Sequence, residues 1–516
     1  MSINTAPSTT DLTARRRAGI AAVVPDLRID WSRRTGISGT TPTLQVVVNS
    51  KLMPEQPVRE GAYRAFRDLD CEYVRYVPWF PYPHMSVPEL DPPTATTTSW
   101  DFTFADPPAI DFLDATAGRH PVLNFSTIPA WMFVGGEDVA YPEDPDGIFW
   151  RYNEGTELRD PSGRELGDYF ARLVSWYTQG GFTDELGVRH ESGHHYELPI
   201  WEVLNEADLE HATTPKAYTE RYDVIVEAIR SVSPETEFVG LGIANPSANP
   251  EYFEYFLNPA NHRDGIPLDW ISYHFYAAPA VAEGIDEWQH TMFAQADGFL
   301  ATVRYVESIR KRLSPSTRTM INETGAILGD DHLTAWGADM GPDPQIPDAY
   351  WNLAGAVYAH LVVELTRMGI DAVGASQLVG YPGQFPSVTM VDWETGAPNA
   401  RFQVLRLLRD HIGPGDELVE DPLVATVGSG AGAMRRVTQL PTQLAFVRDG
   451  VRKVLLVNRT GSDTTVPVHG AAGGTLAVVD VASAGGPVRE ARVDSDIVPL
   501  GAYAVAVVTL PHGTGA

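Results

Sequence analysis

The chain has 516 residues, 43% hydrophobic and 20% charged, a composition that excludes a disordered protein and supplies apolar side chains for about two to four domains. The formal net charge of −29 disfavours nucleic acid, anionic membranes and polyanionic substrates as partners, although solubility alone also explains such a charge. Cys71 is the single cysteine, which excludes an internal disulfide and a cysteine-based metal cluster.

The N-terminal residues 1–35 are expected to form a tail. Arg15, Arg16 and Arg17 precede a short apolar run that Pro25 and Asp26 interrupt, and no small-residue cleavage site follows. We therefore predict no secretion signal and a cytoplasmic location. No apolar run reaches the roughly 20 residues of a membrane helix. The segment Leu27–Trp31 is expected to add a strand to a C-terminal β domain.

Residues 36–412 alternate strand-like and helix-like runs. The strand-like runs are short and continuously apolar, as in parallel strands covered on both faces. They are Leu44–Asn49, Glu72–Trp79, Pro121–Thr127, Leu198–Asn205, Glu237–Ile243, Trp270–Tyr276, Arg318–Glu323 and Ile370–Leu378. Eight such runs predict an α/β fold, a (β/α)₈ TIM barrel, with an open doubly wound sheet as the alternative.

Helical periodicity fills the connections between several of these runs. Pro57–Leu69 is one predicted helix, and Asp348–Met368 and Asn399–His411 are two more. A further helix is expected to begin with Thr214 as its N-cap and Pro215 at its first position.

Residues 413–516 differ in character, because valine, threonine and glycine dominate and the helical patterns stop. Asp449-Gly450 lies between two apolar runs and predicts a hairpin turn. We predict an all-β domain, a sandwich, that supports the barrel and shows no binding motif of its own.

Two glutamates end predicted strands on opposite sides of the barrel. Glu206 follows the fourth run, Glu323 ends the seventh, and His274 and Tyr276 lie on the sixth. Chemistry in such barrels occurs at the C-terminal ends of the strands, and glycoside hydrolysis needs two carboxylates. Either glutamate alone is equally consistent with an exposed strand-end acid, so the argument rests on the pair.

The segments "IWEVLNEAD" (Ile200–Asp208) and "MINETG" (Met320–Gly325) resemble the acid/base and nucleophile motifs of clan A retaining glycoside hydrolases. The nearest resemblance is to family 39, which includes β-xylosidases and α-L-iduronidases, and it spans roughly Leu44 to Asp410. Trp201, Glu202, Val203, Asn205 and Glu206 match the strand-four motif in order. Leu204 and Ala207 depart from it, because the family has tryptophan and proline there.

This resemblance implies a double-displacement mechanism without a cofactor. The negative charge of the chain favours a neutral substrate, a xyloside, arabinoside or glucoside. The long loops around the site favour a pocket that cleaves short substrates from their end, with an open cleft as the alternative. Glu206 would be the acid/base and Glu323 the nucleophile. Asn205 would bind the sugar 2-hydroxyl. Tyr276 would orient the nucleophile, and Arg75 would keep it ionised.

The other candidates have competing structural interpretations. His274 would contact sugar or steady the glutamates, but a core histidine is equally consistent with the pattern. For Arg75, the alternative to a functional pairing is a purely structural ion pair. Four residues near strand ends are candidate sugar contacts, with ordinary packing as their alternative: Trp79, Trp131, Gln377 and Tyr381.

The loop that contains His190, Glu191, His194 and His195 could bind a metal, but it lacks the helical spacing of known motifs, so we predict a polar loop and no metal site. Two further hypotheses remain open. One is a catalytically silent carbohydrate-binding barrel, and the other is a metal-dependent barrel hydrolase. The sequence does not indicate an oligomeric state.

Overall fold

The computed structural model describes residues 28–136, 139–144, 147, 149, 155–329, 331, 346–380, 385–420 and 441–511. Its strands are β1 (Arg34–Ile37), β2 (Thr41–Val48), β3 (Arg75–Pro78), β4 (Val122–Leu123), β5 (Gly181–Thr183), β6 (Arg189–Glu191), β7 (Ile200–Glu202), β8 (Glu237–Ile243), β9 (Trp270–Ala277), β10 (Arg318–Ala326), β11 (Ala372–Ala375), β12 (Glu417–Val419), β13 (Thr442–Arg448), β14 (Val451–Val457), β15 (Thr464–Pro467), β16 (Thr475–Val479), β17 (Arg489–Arg492), β18 (Ile497–Leu500) and β19 (Val505–Thr509).

Its helices are α1 (Pro57–Leu69), α2 (Pro83–Ser86), α3 (Asp106–Ala115), α4 (Arg164–Thr178), α5 (Pro215–Val232), α6 (Glu251–Phe256), α7 (Ile285–Leu313), α8 (Asp348–Met368) and α9 (Ala400–His411). Thr214 caps α5 by accepting a hydrogen bond from the amide of Ala217 at 3.2 Å, so the predicted start of this helix is confirmed. None of the helices in the described ranges has the length and apolarity that a membrane span requires.

Eight strands close into a parallel barrel in the order β2, β3, β4, β7, β8, β9, β10 and β11, and β11 pairs with β2. Each predicted run overlaps one of these strands. The prediction of a TIM barrel is confirmed, and the open-sheet alternative is wrong because β11 has a partner on both sides.

The C-terminal domain packs a seven-stranded antiparallel sheet against the two-stranded sheet of β15 and β18. Alternate residues of β14 face opposite sides of the large sheet. Val454 and Leu456 join the core of the domain itself, whereas Leu455 and Val457 join the core shared with the barrel. Burial of both faces explains why β14 reads as a continuous apolar run.

Asp449 and Gly450 form the turn between β13 and β14, as predicted, and both have positive φ angles of 51° and 78°. A two-residue hairpin turn of this hand matches the twist of the flanking strands, and glycine and aspartate tolerate it best.

The N-terminal strand lies slightly later in the chain than we predicted. β1 pairs antiparallel with β12 of the large sheet, so an N-terminal strand does join the C-terminal domain. The described part of Leu27–Trp31, residues 28–31, contains no strand. Ile29 and Trp31 instead pack as side chains on this domain.

Candidate active site

A cavity of about 540 Å³ opens at the C-terminal ends of the barrel strands. Its described lining combines carboxylates, amides and apolar side chains: Gln45, Val47, Val77, Trp79, Phe80, Asn205, Glu206, Leu209, Glu210, Ala244, Asn245, Tyr276, Ala278, Glu323, Ile327, Ser376, Gln377, Phe385 and Val388. This size and mixture are typical of small-molecule sites.

Arg75 lies fully buried on β3 beneath this cavity. Its guanidinium donates to Gln45 Oε1 at 2.7 Å, to Glu323 Oε1 at 2.5 Å, and to the side chains of Glu202 and Asn205. The Arg75 guanidinium therefore links the second barrel strand to the first, fourth and seventh barrel strands. It contacts both the candidate nucleophile, Glu323, and the candidate substrate-binding amide, Asn205.

Glu202, at the end of β7, is a fully buried carboxylate that balances this cation. Besides the bond from Arg75, it accepts hydrogen bonds from Asn124 at 2.7 Å, Ser272 at 2.5 Å and Asn322 at 2.7 Å. A buried charge with this many donors forms a fixed support below the cavity floor.

Glu323 faces His274 and Tyr276 across adjacent strands, because β10 and β9 pair Glu323 with His274 and Gly325 with Tyr276. The Tyr276 hydroxyl donates to Glu323 Oε2 at 2.7 Å. Burial alone would raise the pKa of Glu323, but the positive charges of His274 and Arg75 and the hydrogen bonds from Tyr276 and Arg75 lower it below its usual 4.5. This environment keeps Glu323 ionised.

Glu206 lies in the opposite electrostatic environment. Burial raises its pKa above the usual 4.5, against the opposing effect of His274. His274 Nδ1 lies 2.9 Å from Glu206 Oε1 and 3.7 Å from Glu323 Oε2. Burial would lower the pKa of His274, but the charge of Glu323 and the hydrogen bond with Glu206 raise it. The surroundings of Glu206 therefore favour its protonated form, next to an ionised carboxylate.

The turn that presents Glu206 is strained. Leu204 and Glu206 both have positive φ angles, 64° and 43°, which side-chain-bearing residues seldom adopt and which cost of order 1–3 kcal/mol each. Asn124 holds the turn by donating to the Leu204 carbonyl at 3.0 Å while it also binds Glu202. Leu204 and Ala207, which depart from the family 39 motif, are buried and do not line the cavity.

The remaining candidates divide into those at the cavity and those elsewhere. Trp79 and Gln377 line it, as does Asn205. The prediction that Trp131 contacts the sugar is wrong, because this residue is buried away from the cavity. Its indole N–H donates to the Glu89 carbonyl at 2.9 Å, and the Arg159 guanidinium lies 4.3 Å from its ring. Tyr381 lies outside the described residues.

The histidine loop does not gather its side chains around a common point. His190 contacts Asp184 at 2.9 Å and stacks on Phe182, whereas His194 contacts Asp106 at 3.4 Å. Within the described ranges, one group of three acidic or histidine side chains has metal-like spacing, and it is Glu206, His274 and Glu323 themselves. Their nearest ligand atoms all lie within 4.8 Å of one another.

Sequence reasoning missed four polar side chains that build this site from within the barrel strands or directly after them: Gln45, Asn124, Ser272 and Ser376. Ser376, for example, accepts from Gln45 at 2.6 Å, and its hydroxyl lies 2.7 Å from the Tyr276 hydroxyl. A single buried polar residue inside an apolar run was the available signal, because such a residue needs a partner.

Several solved glycoside hydrolases have a fold similar to that of this chain. A GH51 arabinofuranosidase from Xanthomonas axonopodis pv. citri has 12% sequence identity and a TM-score of 0.59, covering 94% of this chain and 99% of that chain. A monomeric β-xylosidase from Caulobacter crescentus CB15 has 16% identity and a TM-score of 0.56, with coverage of 94% and 99%. A glucosidase from Croceicoccus marinus has 13% identity and a TM-score of 0.55, with coverage of 93% and 98%.

These likenesses extend to the fold alone, and the resemblance to family 39 stays a prediction. Residues 442–508 match a family model described as "D-apionate lactonase, C-terminal immunoglobulin-like domain". A search of curated protein sequences gives no match.

Proposed function

We propose that the protein is a retaining glycoside hydrolase in which Glu323 is the nucleophile and Glu206 the acid/base. The observation that carries this proposal is the pair itself, two carboxylates at one cavity whose surroundings shift their pKa values in opposite directions. Such a pair assigns acid and base roles by environment.

The spacing of the two carboxylates favours retention over inversion. Their nearest oxygens lie within 4.8 Å of each other. Retaining enzymes hold their carboxyl groups about 5–5.5 Å apart, whereas inverting enzymes need about 6.5–9.5 Å to admit a water molecule.

In the first step Glu323 attacks the anomeric carbon while Glu206 protonates the glycosidic oxygen, so the leaving group departs as an alcohol and a glycosyl ester forms. In the second step Glu206 removes a proton from water, whose oxygen attacks the anomeric carbon and releases Glu323. Once Glu323 is esterified, its negative charge no longer faces Glu206, which lowers the pKa of Glu206 for its role as base.

The substrate that fits this cavity is a neutral sugar such as xylose, arabinose or glucose, in a short glycoside cleaved from its end. Asn205, Gln45 and Gln377 supply amide groups for sugar hydroxyls. The negative charges of the lining and of the whole chain oppose uronic acids.

A panel of nitrophenyl glycosides tests the activity, and azide tests the roles. Glu323→Ala and Glu206→Ala are each expected to lower turnover by several orders of magnitude. Azide should rescue Glu323→Ala with a glycosyl azide of inverted configuration and Glu206→Ala with one of retained configuration. The opposite stereochemistry would reverse the two roles, and wild-type turnover in either variant would remove that residue from the mechanism.

A second candidate is hydrolysis of a sugar lactone, which the match of residues 442–508 to a lactonase domain model favours. In that reaction the ionised Glu323 would remove a proton from water as its oxygen attacks the lactone carbonyl, and Glu206 would protonate the ring oxygen that departs. The two functions predict different responses to aldonolactones, because a lactone shares the flattened anomeric centre of the glycosidase transition state and should inhibit a glycosidase. Acid release from the lactone without turnover of any glycoside would favour the lactonase.

A further inference from the structure

Arg401 is a buried cation at an unfavourable place in the fold. It lies in the first turn of α9, where the partial positive charge of a helix N-terminus opposes a further positive charge. The residue is 2% exposed, and burial lowers its pKa. None of the described acidic residues forms an ion pair with it, and its Nε has no hydrogen-bond partner. A buried charge without a counter-charge is costly, so the bonds that Arg401 does make have to account for its place.

The Arg401 guanidinium holds two cavity-lining segments together through their backbones. Nη2 donates to the carbonyl of Ser376 at 2.5 Å, and Nη1 donates to the carbonyl of Val388 and, at 3.4 Å, to that of Thr389. Ser376 directly follows the eighth barrel strand, and both Ser376 and Val388 line the cavity. The amide of Gln377, which lines the cavity too, donates to the same Val388 carbonyl at 2.8 Å. Arg401 therefore fixes this wall of the cavity from behind.

The Ser376 side chain carries this constraint to the candidate nucleophile. Its hydroxyl accepts from Gln45 Nε2 at 2.6 Å and lies 2.7 Å from the hydroxyl of Tyr276. The Tyr276 hydroxyl donates its proton to Glu323 Oε2 at 2.7 Å, so Ser376 is the donor to the Tyr276 oxygen. Burial raises the pKa of Tyr276, and the hydrogen bond from Ser376 opposes that rise. Hydrogen bonds in a chain polarise one another, so the Ser376 contact strengthens the bond from Tyr276 to Glu323.

We propose, building on the glycosidase function proposed above, that Arg401 is a positioning residue for the nucleophile Glu323. It fixes the backbone of Ser376 at the place where the serine hydroxyl meets Tyr276, and Tyr276 in turn orients the Glu323 carboxylate. The Ser376 amide donates to the carbonyl of Thr324 at 2.9 Å, which ties the same wall to the residue that follows the nucleophile. Without Arg401 the wall shifts, and Glu323 loses part of the hydrogen bonding that keeps it ionised.

The test measures the acid limb of the pH profile of kcat/KM on the nitrophenyl glycoside that the panel identifies, because this limb reports the ionisation of Glu323. The titratable and charged groups that face Glu323 are Arg75, His274, Tyr276 and Glu206. Arg401→Met leaves all four in place and replaces the guanidinium with an uncharged chain. It should lower kcat/KM about tenfold and move the acid limb to higher pH, since the bond from Tyr276 weakens. A loss of folded enzyme alone would lower turnover without moving the limb.

Arg221→Met is the matched control. Arg221 is a buried arginine of α5 whose guanidinium donates to the Thr156 carbonyl at 2.7 Å, and it does not line the cavity. This variant should lower the melting temperature and leave the acid limb in place. Arg401→Lys keeps the charge but replaces the guanidinium fork with one ammonium group, which cannot reach all three carbonyls. It should move the limb in the same direction, and it supplies folded enzyme if Arg401→Met does not fold.

A double-mutant cycle with Ser376→Ala tests whether Arg401 acts through Ser376. In the Ser376→Ala background, Arg401→Met should move the acid limb no further, because the contact that Arg401 positions is already gone. A further shift as large as the one in the wild-type background would refute this path.

An unmoved acid limb in both Arg401 variants, with turnover intact, would overturn the role of Arg401 and leave the glycosidase function standing. A limb that moves equally in Arg221→Met would overturn it too, because the shift would then follow from the loss of any buried arginine. Absence of wild-type turnover on every glycoside would overturn the glycosidase function and this inference with it.

Discussion

Replacing Glu202 with glutamine should destabilise the barrel although Glu202 does not line the cavity. The carboxylate is fully buried, and its four donors divide evenly between its oxygens. Oε2 accepts from Arg75 and Asn124, and Oε1 accepts from Ser272 and Asn322. Glutamine has one acceptor oxygen, so one pair of donors would face an NH₂ group.

The loss of two charge-assisted hydrogen bonds, at about 1.5–3 kcal/mol each, would lower the free energy of unfolding by at most about 3–6 kcal/mol. Rotation of the Ser272 hydroxyl and a flip of the Asn322 amide would relieve part of this. We therefore expect Glu202→Gln to lower the free energy of unfolding by about 3–5 kcal/mol, which is the usual cost of breaking a buried ion pair. At about 2 °C per kcal/mol, which suits a large domain, the melting temperature should fall by about 6–10 °C.

Thermal unfolding followed by circular dichroism measures this change. Glu60→Gln is the control, because Glu60 is exposed and its side chain lies 3.5 Å from Arg64, and it should change stability by less than about 0.5 kcal/mol. A melting temperature for Glu202→Gln within 1 °C of wild type would refute the argument that this carboxylate supports the floor of the site.

Three further outcomes follow from the same structure. The pH profile of kcat/KM should be bell-shaped. Its acid limb should lie below pH 4.5, where Glu323 becomes protonated, and its alkaline limb above pH 4.5, where Glu206 loses its proton. On nitrophenyl substrates, Glu206→Gln should lose only the alkaline limb. Burial raises the pKa of Glu89 to about 9 from 4.5, so between these pH values the folded protein keeps a proton that the unfolded chain loses. The free energy of unfolding, measured in urea, should therefore decrease as the pH rises from about 4.5 to about 9. Glu89→Gln should abolish this decrease. Dialysis against EDTA should leave turnover unchanged, because Glu206, His274 and Glu323 already bond one another or Arg75; loss of activity that Zn²⁺ restores would support the metal-dependent alternative.

The sequence by itself determined the barrel and the position of its two glutamates. Strands covered on both faces must be apolar throughout, so each of the eight appeared as a short hydrophobic run. A carboxylate directly after such a run lies at the C-terminal end of a barrel strand wherever the strand sits in the circle. For Glu206 and Glu323, the short apolar run before each glutamate was therefore enough to predict that it lies at the C-terminal end of the barrel.

Only the tertiary structure decided how the side chains meet. Arg75 binds Glu323 across 248 positions of chain and Gln45 across 30, and no local pattern encodes either contact. Trp131 followed a strand as Trp79 did, yet the folded loop buried one and left the other at the cavity. Hydrophobic periodicity records which face of an element is buried, whereas the partner of a buried polar group depends on which elements the closed barrel brings together.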